Sequence, residues 1–290
     1  MLAGTCGGQG TPTGSGVATA VAHGHLVGFS TPGFPQDLTA FQQLEGKAGV
    51  RANVASWYTT LGTNFDAAAV ATISGQGVLP LIEIDSDKTP VADIANGRWD
   101  AFLTAYARAV AAYHSPIAID FDHEFNGEWS AWGYPHTSAA TFVAAWRRMV
   151  TIFRENGATN VIWVWNPNVV GSGTVSIRPW YPGDQYVTWV GLDGYFFDSS
   201  DTFGRVFGDT LSQLNSFSHK NVLIVETGAE PGTQRSAQIN SLFAGLKATP
   251  QIIGFIWFDY DKRPGHEWAL QGDQTALATF HEDAVSYQRQ

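Results

Sequence analysis

The chain has 290 residues, with 16 basic and 26 acidic side chains and a formal net charge of −10. This balance argues against nucleic acid and against an anionic membrane surface as partners, because both require clustered Lys and Arg. The length is enough to bury one large hydrophobic core. A single cysteine, Cys6, excludes a disulfide framework and a cysteine-rich metal site. A neutral polymer or a small molecule is the partner that this composition favours.

Residues 1–22 are rich in Gly, Thr and Ser, which predicts a flexible lead rather than part of the core. They lack the basic start and apolar block of a signal peptide, and no run of about 20 apolar residues follows that could span a membrane. We therefore expect one folded domain over residues 23–290. No patterned helix suggests association, so we expect a monomer.

After the lead, apolar runs typical of buried strands alternate with helical patterns. The predicted strands are His25–Ser30, Val50–Tyr58, Val78–Ile84, Ile117–Phe121, Val161–Trp165, Val187–Tyr195, Asn221–Glu226 and Ile252–Phe258. The predicted helices are Phe34–Gly46, Phe65–Ser74, Asp93–Tyr113, Ser138–Asn156, Phe203–Phe217, Gln234–Leu246 and Gln274–Tyr287, and a Gly/Pro-rich loop runs from the fifth strand to Gly183. Eight buried strands that alternate with these helices predict an α/β fold, a single (β/α)8 TIM barrel. A doubly wound sheet is the alternative, but the first strand leads into Ser-Thr-Pro-Gly rather than GxGxxG.

Polar and aromatic side chains stand at the carboxyl ends of nearly all the predicted strands, where a barrel collects its functional groups. They are Trp57, Tyr58, Glu83, Asp85, Asp122, His123, Glu124, Trp165, Asn166, Asn168, Asp193, Tyr195, Glu226, Trp257 and Asp259. A lone glutamate at a strand end is more often solvated or ion-paired than catalytic. Glu124 and Glu226, however, end strands four and seven, which face each other across a barrel. Hydrolysis of a glycosidic bond needs two such carboxyl groups, and aromatic rings stack on the apolar faces of sugars.

The sequence around these two glutamates resembles glycoside hydrolase family 26, whose members are mainly retaining β-mannanases. The segment His123-Glu124-Phe125-Asn126-Gly127, with Trp129 and Trp132, is similar to the acid/base motif of that family. Leu192-Asp193-Gly194-Tyr195 is similar to its strand-six motif, and Val225-Glu226-Thr227-Gly228 to its nucleophile strand. The resemblance extends from about Gly28 to Phe280.

The resemblance implies a role for each matching residue. Glu124 is expected to be the general acid/base and Glu226 the nucleophile, with Tyr195 donating a hydrogen bond to it. The remaining expected substrate-site residues are His123, Trp129, Trp132, Asp193, Trp257, Trp165 and Asn166, among which Trp129 and Trp257 are expected to stack on the sugar. This function implies an enzyme that is exported or held at the cell surface, where it degrades a polysaccharide.

Three positions depart from the family pattern. Asp120 stands where many members carry an arginine, and strand alternation predicts that it points inward together with Asp122 and Glu124. Like charges this close need a partner, and we expect Arg51 on strand two to pair with Asp120. Family members tend to carry a histidine after strand three, where this chain has the segment Glu83–Asp87. They also carry an arginine directly after the tryptophan of strand eight, where this chain has Phe258. These changes bear on mannose specificity more than on glycosidase chemistry.

We therefore expect an endo-acting retaining β-glycosidase, with β-1,4-mannan as the first candidate substrate. β-1,3-Xylan and mixed-linkage β-glucan are alternatives within the family, and a non-catalytic glycan-binding protein on the same scaffold is an alternative outside it. No cofactor and no metal are expected. The pair His23 and His25 is reminiscent of metal-dependent barrel hydrolases, but it precedes the first strand and so lies at the opposite pole of the barrel.

Overall fold

A computed structural model describes residues 24–263 and 266–289. The predicted lead of residues 1–22, with Cys6, and His23 lie outside the described residues, so the boundary between lead and domain stays a prediction. None of the helices within the described ranges has the length and apolarity needed to cross a membrane.

Eight parallel strands close into a barrel in which β8 pairs with β1, as predicted. The strands are β1 (Leu26–Ser30), β2 (Val54–Thr60), β3 (Leu79–Asp85), β4 (Ile117–Phe121), β5 (Val161–Trp165), β6 (Trp189–Asp193), β7 (Val222–Thr227) and β8 (Ile252–Phe258). The predicted bounds of β4, β5 and β8 coincide with these, and the others differ by one to four residues at an end. A short antiparallel hairpin follows, formed by β9 (Asp261–Arg263) and β10 (His266–Glu267).

The helices of the described residues surround the barrel. They are α1 (Thr39–Ala48), α2 (Ala67–Ser74), α3 (Val91–Ala95), α4 (Asp100–Tyr113), α5 (Ala139–Glu155), α6 (Phe203–Asn215), α7 (Arg235–Ala248) and α8 (Gln274–Gln288). The single helix predicted over Asp93–Tyr113 is wrong, because Gly97 takes a left-handed φ of +84° and separates α3 from α4. Two 3₁₀ turns, Arg178–Trp180 and Asp184–Tyr186, stand in the loop between β5 and β6.

Side-chain caps fix where several helices begin. Asp66, Ser138, Thr202 and Asp273 each precede a helix and accept a hydrogen bond from the backbone N–H three residues later. Short polar side chains at this position satisfy amides that the helix leaves without a partner. The sequence encodes these starts directly.

The core has two layers, as the strand alternation requires. Small and branched side chains such as Leu81, Ala118 and Val164 fill the barrel interior. Larger aromatic side chains, including Phe142 and Trp146 of α5, pack between the strands and the helices. The closed barrel holds the carboxyl ends of all eight strands around one opening.

Candidate active site

Glu124 lies three residues beyond the end of β4, where the chain leaves the extended conformation. Asp122 and Glu124 both have a φ of +53°, a left-handed conformation that costs a non-glycine residue roughly 1–2 kcal/mol. The backbone N–H of Glu124 donates to the Asn166 carbonyl at 2.8 Å, which ties this turn to the end of β5. The turn thereby presents a partly exposed carboxyl group at the carboxyl end of the barrel. Strain of this kind persists where the surroundings fix it, and it is common at functional sites.

Two neutral donors hold the carboxyl group of Glu124. Asn168 donates from Nδ2 to Oε1 at 2.5 Å, and Trp129 donates from Nε1 to Oε2 at 2.5 Å. Asn168 is itself fixed by Asn126, whose Oδ1 accepts from its backbone N–H at 2.9 Å and whose Nδ2 donates to its carbonyl at 3.0 Å. The Trp129 side chain is half exposed, with 50% of its surface accessible. It therefore combines an exposed ring with a hydrogen bond to the carboxyl group.

Glu226 lies next to the end of β7, and its surroundings differ from those of Glu124. Only 4% of its surface is exposed, and both carboxyl oxygens accept hydrogen bonds from phenols: Tyr195 on Oε2 and Tyr58 on Oε1. Burial raises the pKa of Glu226 from 4.5 to about 7, and the positive charge of Lys262 opposes this rise. Burial and nearby carboxylates also raise the pKa of the Tyr195 phenol, which therefore remains a donor.

Shared neighbours connect the two glutamates. Tyr195 donates to Glu226, and its pKa responds to the charge of Glu124. The ring of Tyr58, the other donor to Glu226, lies 5.4 Å from the His123 ring, and His123 directly precedes Glu124. The predicted pair thus lies within one group of interacting side chains, between the ends of β4 and β7.

His123 is a cation at the base of this group. Its Nδ1 lies 3.1 Å from Asp85 Oδ1, and Trp132 donates from Nε1 to its backbone carbonyl at 2.7 Å. Burial opposes the charge on the imidazole, but the hydrogen bond that His123 donates to Asp85 and the charges of Asp85, Glu124 and Glu83 raise the pKa of His123 well above its usual 6.5. The imidazolium partly offsets the negative charge of the surrounding carboxyl groups.

Three fully buried acids, Glu83, Asp120 and Asp193, form the floor beneath the site. Burial raises the pKa of Glu83 to about 7, and burial likewise raises the pKa values of Asp120 and Asp193 well above the usual range. Asn166 donates from Nδ2 to both oxygens of Asp193, at 3.1 and 2.9 Å. A Cβ at Gly191 would lie 2.5 Å from Asn166 Oδ1, so glycine is needed there to make room for this amide. Asn166 and Asp193 therefore belong to the buried floor of the site and not to its exposed surface.

The predicted pair of Arg51 and Asp120 is wrong. Arg51 is 78% exposed and lies 3.7 Å from Glu45 at the opposite pole, while Asp120 is completely buried. Asp122 also departs from the predicted inward row, because its left-handed φ turns it to accept a hydrogen bond from the Ser86 backbone at 2.6 Å. Strand alternation ends at Phe121, and the prediction extended it too far.

Two predicted substrate contacts, Trp165 and Trp257, are also wrong. Both rings are completely buried in the layer between strands and helices. Trp165 donates to the Trp180 carbonyl at 3.2 Å, and Trp257 donates to the Trp268 carbonyl at 2.9 Å. Adjacent residues of a strand point to opposite faces, and in β8 it is Phe258 that contacts the tyrosines of the site.

Four residues of the site had no predicted role. Tyr58 and Asn168 were among the predicted strand-end residues, whereas Trp268 and Phe197 were not predicted at all. Trp268 stacks on Tyr195 with ring centroids 4.2 Å apart and is only 3% exposed. Phe197 is 53% exposed beside it. The last two lie in loops with no strand pattern to indicate their position.

The chain is similar to known glycoside hydrolases both in sequence and in fold. A sequence model of Glycosyl hydrolase family 26 matches residues 105–228. Endoglucanase H of Acetivibrio thermocellus is 30% identical over 262 residues, which cover 84% of this chain, and this chain spans 28% of the length of that protein. A mannan endo-1,4-beta-mannosidase of Bacillus subtilis is 28% identical over 177 residues, covering 58% of this chain and 44% of that protein. The solved structure of a β-mannanase of the same family from Bacteroides ovatus superposes with a TM-score of 0.68 at 19% identity, covering 94% of this chain and 92% of that one. The predicted barrel and the predicted family resemblance are both confirmed.

Proposed function

Because the chain belongs to glycosyl hydrolase family 26, we propose that it is an endo-acting retaining β-glycosidase that cleaves a neutral polysaccharide by double displacement. The observation that carries the proposal is the contrast between two neighbouring glutamates. Glu226 is buried and held by two phenols, whereas Glu124 is partly exposed and held by an amide and an indole. Retaining hydrolysis needs such a pair with separate roles.

In the first step, Glu226 attacks the anomeric carbon and forms a glycosyl ester, while Glu124 gives a proton to the departing oxygen. The two phenols fix the orientation of the Glu226 carboxylate, which reduces the entropy that alignment would otherwise cost. An ionised carboxylate oxygen has two lone pairs, so one can accept the phenol hydrogen bond while the other attacks the anomeric carbon.

In the second step, Glu124 takes a proton from water, and the water oxygen attacks the anomeric carbon and releases Glu226. The leaving oxygen and then the water must reach Glu124 Oε2 or Oε1, which Trp129 and Asn168 now occupy. Trp129 is the more exposed of these two donors. We therefore assign two roles to Trp129. It contacts the sugar, and its hydrogen bond to Glu124 is replaced by one from the substrate.

β-1,4-Mannan is our first candidate substrate, and the similarity to the Bacillus subtilis mannan endo-1,4-beta-mannosidase supports it. The similarity to Endoglucanase H and the three departures from the mannanase pattern support a β-glucan as the alternative, and β-1,3-xylan is the third. We propose a monomeric enzyme that acts outside the cell, where such polymers are found.

The test has two parts. Reducing-sugar release is measured on mannan, mixed-linkage β-glucan and β-1,3-xylan, and the anomer formed first is identified by proton NMR before mutarotation. The proposal expects release from one of these polymers with the β-anomer first. Binding of a polymer without any turnover would instead identify a glycan-binding protein, and an α-anomer formed first would exclude double displacement.

A further inference from the structure

The hairpin after β8 places a cation above the residues that hold Glu226. Lys262, on β9, has its ammonium nitrogen 4.5 Å from the centroid of the Phe258 ring. Phe258 is the last residue of β8 and only 1% exposed. A cation over the face of a buried aromatic ring is attracted by its quadrupole, which gives Lys262 a defined place despite its exposed position.

Phe258 also contacts both phenols that bind Glu226. Its ring centroid lies 6.4 Å from that of Tyr58 and 6.0 Å from that of Tyr195, edge-to-face in both cases. Tyr58 and Tyr195 donate to the two oxygens of the same carboxyl group. Lys262, Phe258, the two tyrosines and Glu226 thus form one connected assembly. We call these five residues the nucleophile assembly.

The charges near the site divide into two sets. His123 acts on the floor acids Glu83, Asp120 and Asp193. Among the described residues, the charge of Lys262 opposes the rise that burial causes in the pKa of Glu226. The other titratable groups around that carboxyl are neutral phenols: Tyr58 from β2, Tyr195 after β6 and Tyr260 after β8.

From this geometry we infer that Lys262 is a positioning residue that keeps Glu226 ionised as the nucleophile, acting from the hairpin through its place on Phe258. A buried carboxylate is costly without a positive neighbour. Two neutral phenols provide hydrogen bonds but no charge, and Lys262 provides the charge. The inference rests on the proposed function, in which Glu226 attacks the sugar.

Two hydrogen bonds hold the hairpin that carries Lys262, one at its own base and one to the loop after β7. Asp261 accepts from the Ala269 backbone at 3.0 Å, and Glu230, beyond β7, accepts from the Glu267 backbone at 3.2 Å. These bonds hold the backbone of the hairpin without using the ammonium group. Removal of the Lys262 charge should therefore leave the hairpin in place.

The experiment compares Lys262→Met, Lys262→Gln and Lys262→Arg with wild type. The acidic limb of the pH profile of kcat/KM is measured, together with the pH dependence of labelling by a 2-deoxy-2-fluoroglycosyl fluoride, which reports attack by Glu226 without turnover. We expect both profiles to move to higher pH in K262M and K262Q and to stay in place in K262R. On the acidic side, each pH unit of movement lowers kcat/KM about tenfold. Lys88→Met is the matched control, because Lys88 is exposed at the same pole in the loop after β3 and should leave both profiles unchanged.

Three results would overturn the inference. An unmoved acidic limb in K262M and K262Q would show that the charge does not reach Glu226, and a raised KM with an unmoved limb would make Lys262 a substrate contact. A limb displaced equally in K262R would mean that shape rather than charge matters. Failure of the proposed function is distinguishable from all of these, because wild type itself would then show neither turnover nor labelling.

Discussion

Replacement of Glu226 by glutamine should make the protein more stable at alkaline pH, while it abolishes turnover. Burial raises the pKa of Glu226 from 4.5 to about 7, so the folded protein holds this proton more tightly than the unfolded chain does. Wild type therefore loses stability as the pH rises from about 4.5 through about 7. The 2.5-unit difference (7 − 4.5) corresponds to about 3 kcal/mol at 1.36 kcal/mol per unit. Glutamine has nearly the same shape, is never charged, and removes this loss.

The assay is urea unfolding of wild type and Glu226→Gln at pH 4.5 and pH 8. The dependence of the unfolding free energy on urea concentration should have the same slope in both proteins, so that the free energies can be compared. We expect the free energy of unfolding of Glu226→Gln, relative to wild type, to rise by about 2–3 kcal/mol between the two pH values. Lys88→Met, which changes an exposed side chain in the loop after β3, is the control and should follow wild type. A Glu226→Gln curve parallel to wild type would refute the claim that burial makes this carboxylate costly.

Three further predictions concern the rest of the site. Glu124→Ala should lose about 10²–10⁴ in kcat/KM on polymer but much less on aryl glycosides with good leaving groups, because those need no proton; an equal loss on both would exclude the acid role. Trp129→Ala should weaken oligosaccharide binding by about 1–3 kcal/mol, measured by calorimetry, and Trp129→Phe should recover most of it if stacking rather than the hydrogen bond to Glu124 dominates. His123→Gln should lower kcat/KM at neutral pH without moving the acidic limb that Glu226 sets, because the lost cation acts on the floor acids, whereas Arg51→Gln at the opposite pole should leave kcat/KM unchanged.

The barrel could be predicted because its signals are local. Each strand is a short apolar run, each helix carries a buried stripe, and caps such as Ser138 mark where helices begin. The error in the predicted helices also had a local cause. Gly97 broke a helix that the apolar stripe favoured, since a left-handed φ leaves no mark on hydrophobic periodicity.

The site could be predicted in part, and its errors have a common physical origin. Glu124, Glu226 and Tyr195 were found because strand ends and motif spacing identify them. Trp165 and Trp257 were misassigned by one residue, because a strand end alone does not say which of two adjacent side chains faces the opening. The neighbouring residues contact the site instead: Asn166, which was also predicted and directly follows β5, and Phe258 at the end of β8.

Other contacts of the site depend on tertiary structure and leave no pattern in the chain. Trp268 meets Tyr195 across 73 positions of sequence (268 − 195), and Lys262 reaches the nucleophile assembly from a hairpin. Arg51 was paired with Asp120 because both were assigned to the barrel interior. The structure instead places Arg51 beyond the amino end of β2, next to Glu45.

Rescue of alanine variants by azide tests the central claim that Glu124 and Glu226 act on opposite faces of one sugar. With an activated aryl β-glycoside, azide should enter the space left by Glu226→Ala and yield an α-glycosyl azide. In Glu124→Ala it should instead attack the glycosyl-enzyme and yield a β-glycosyl azide. Rescue of both variants with the same anomer, or of neither, would contradict the assignment of nucleophile and acid/base.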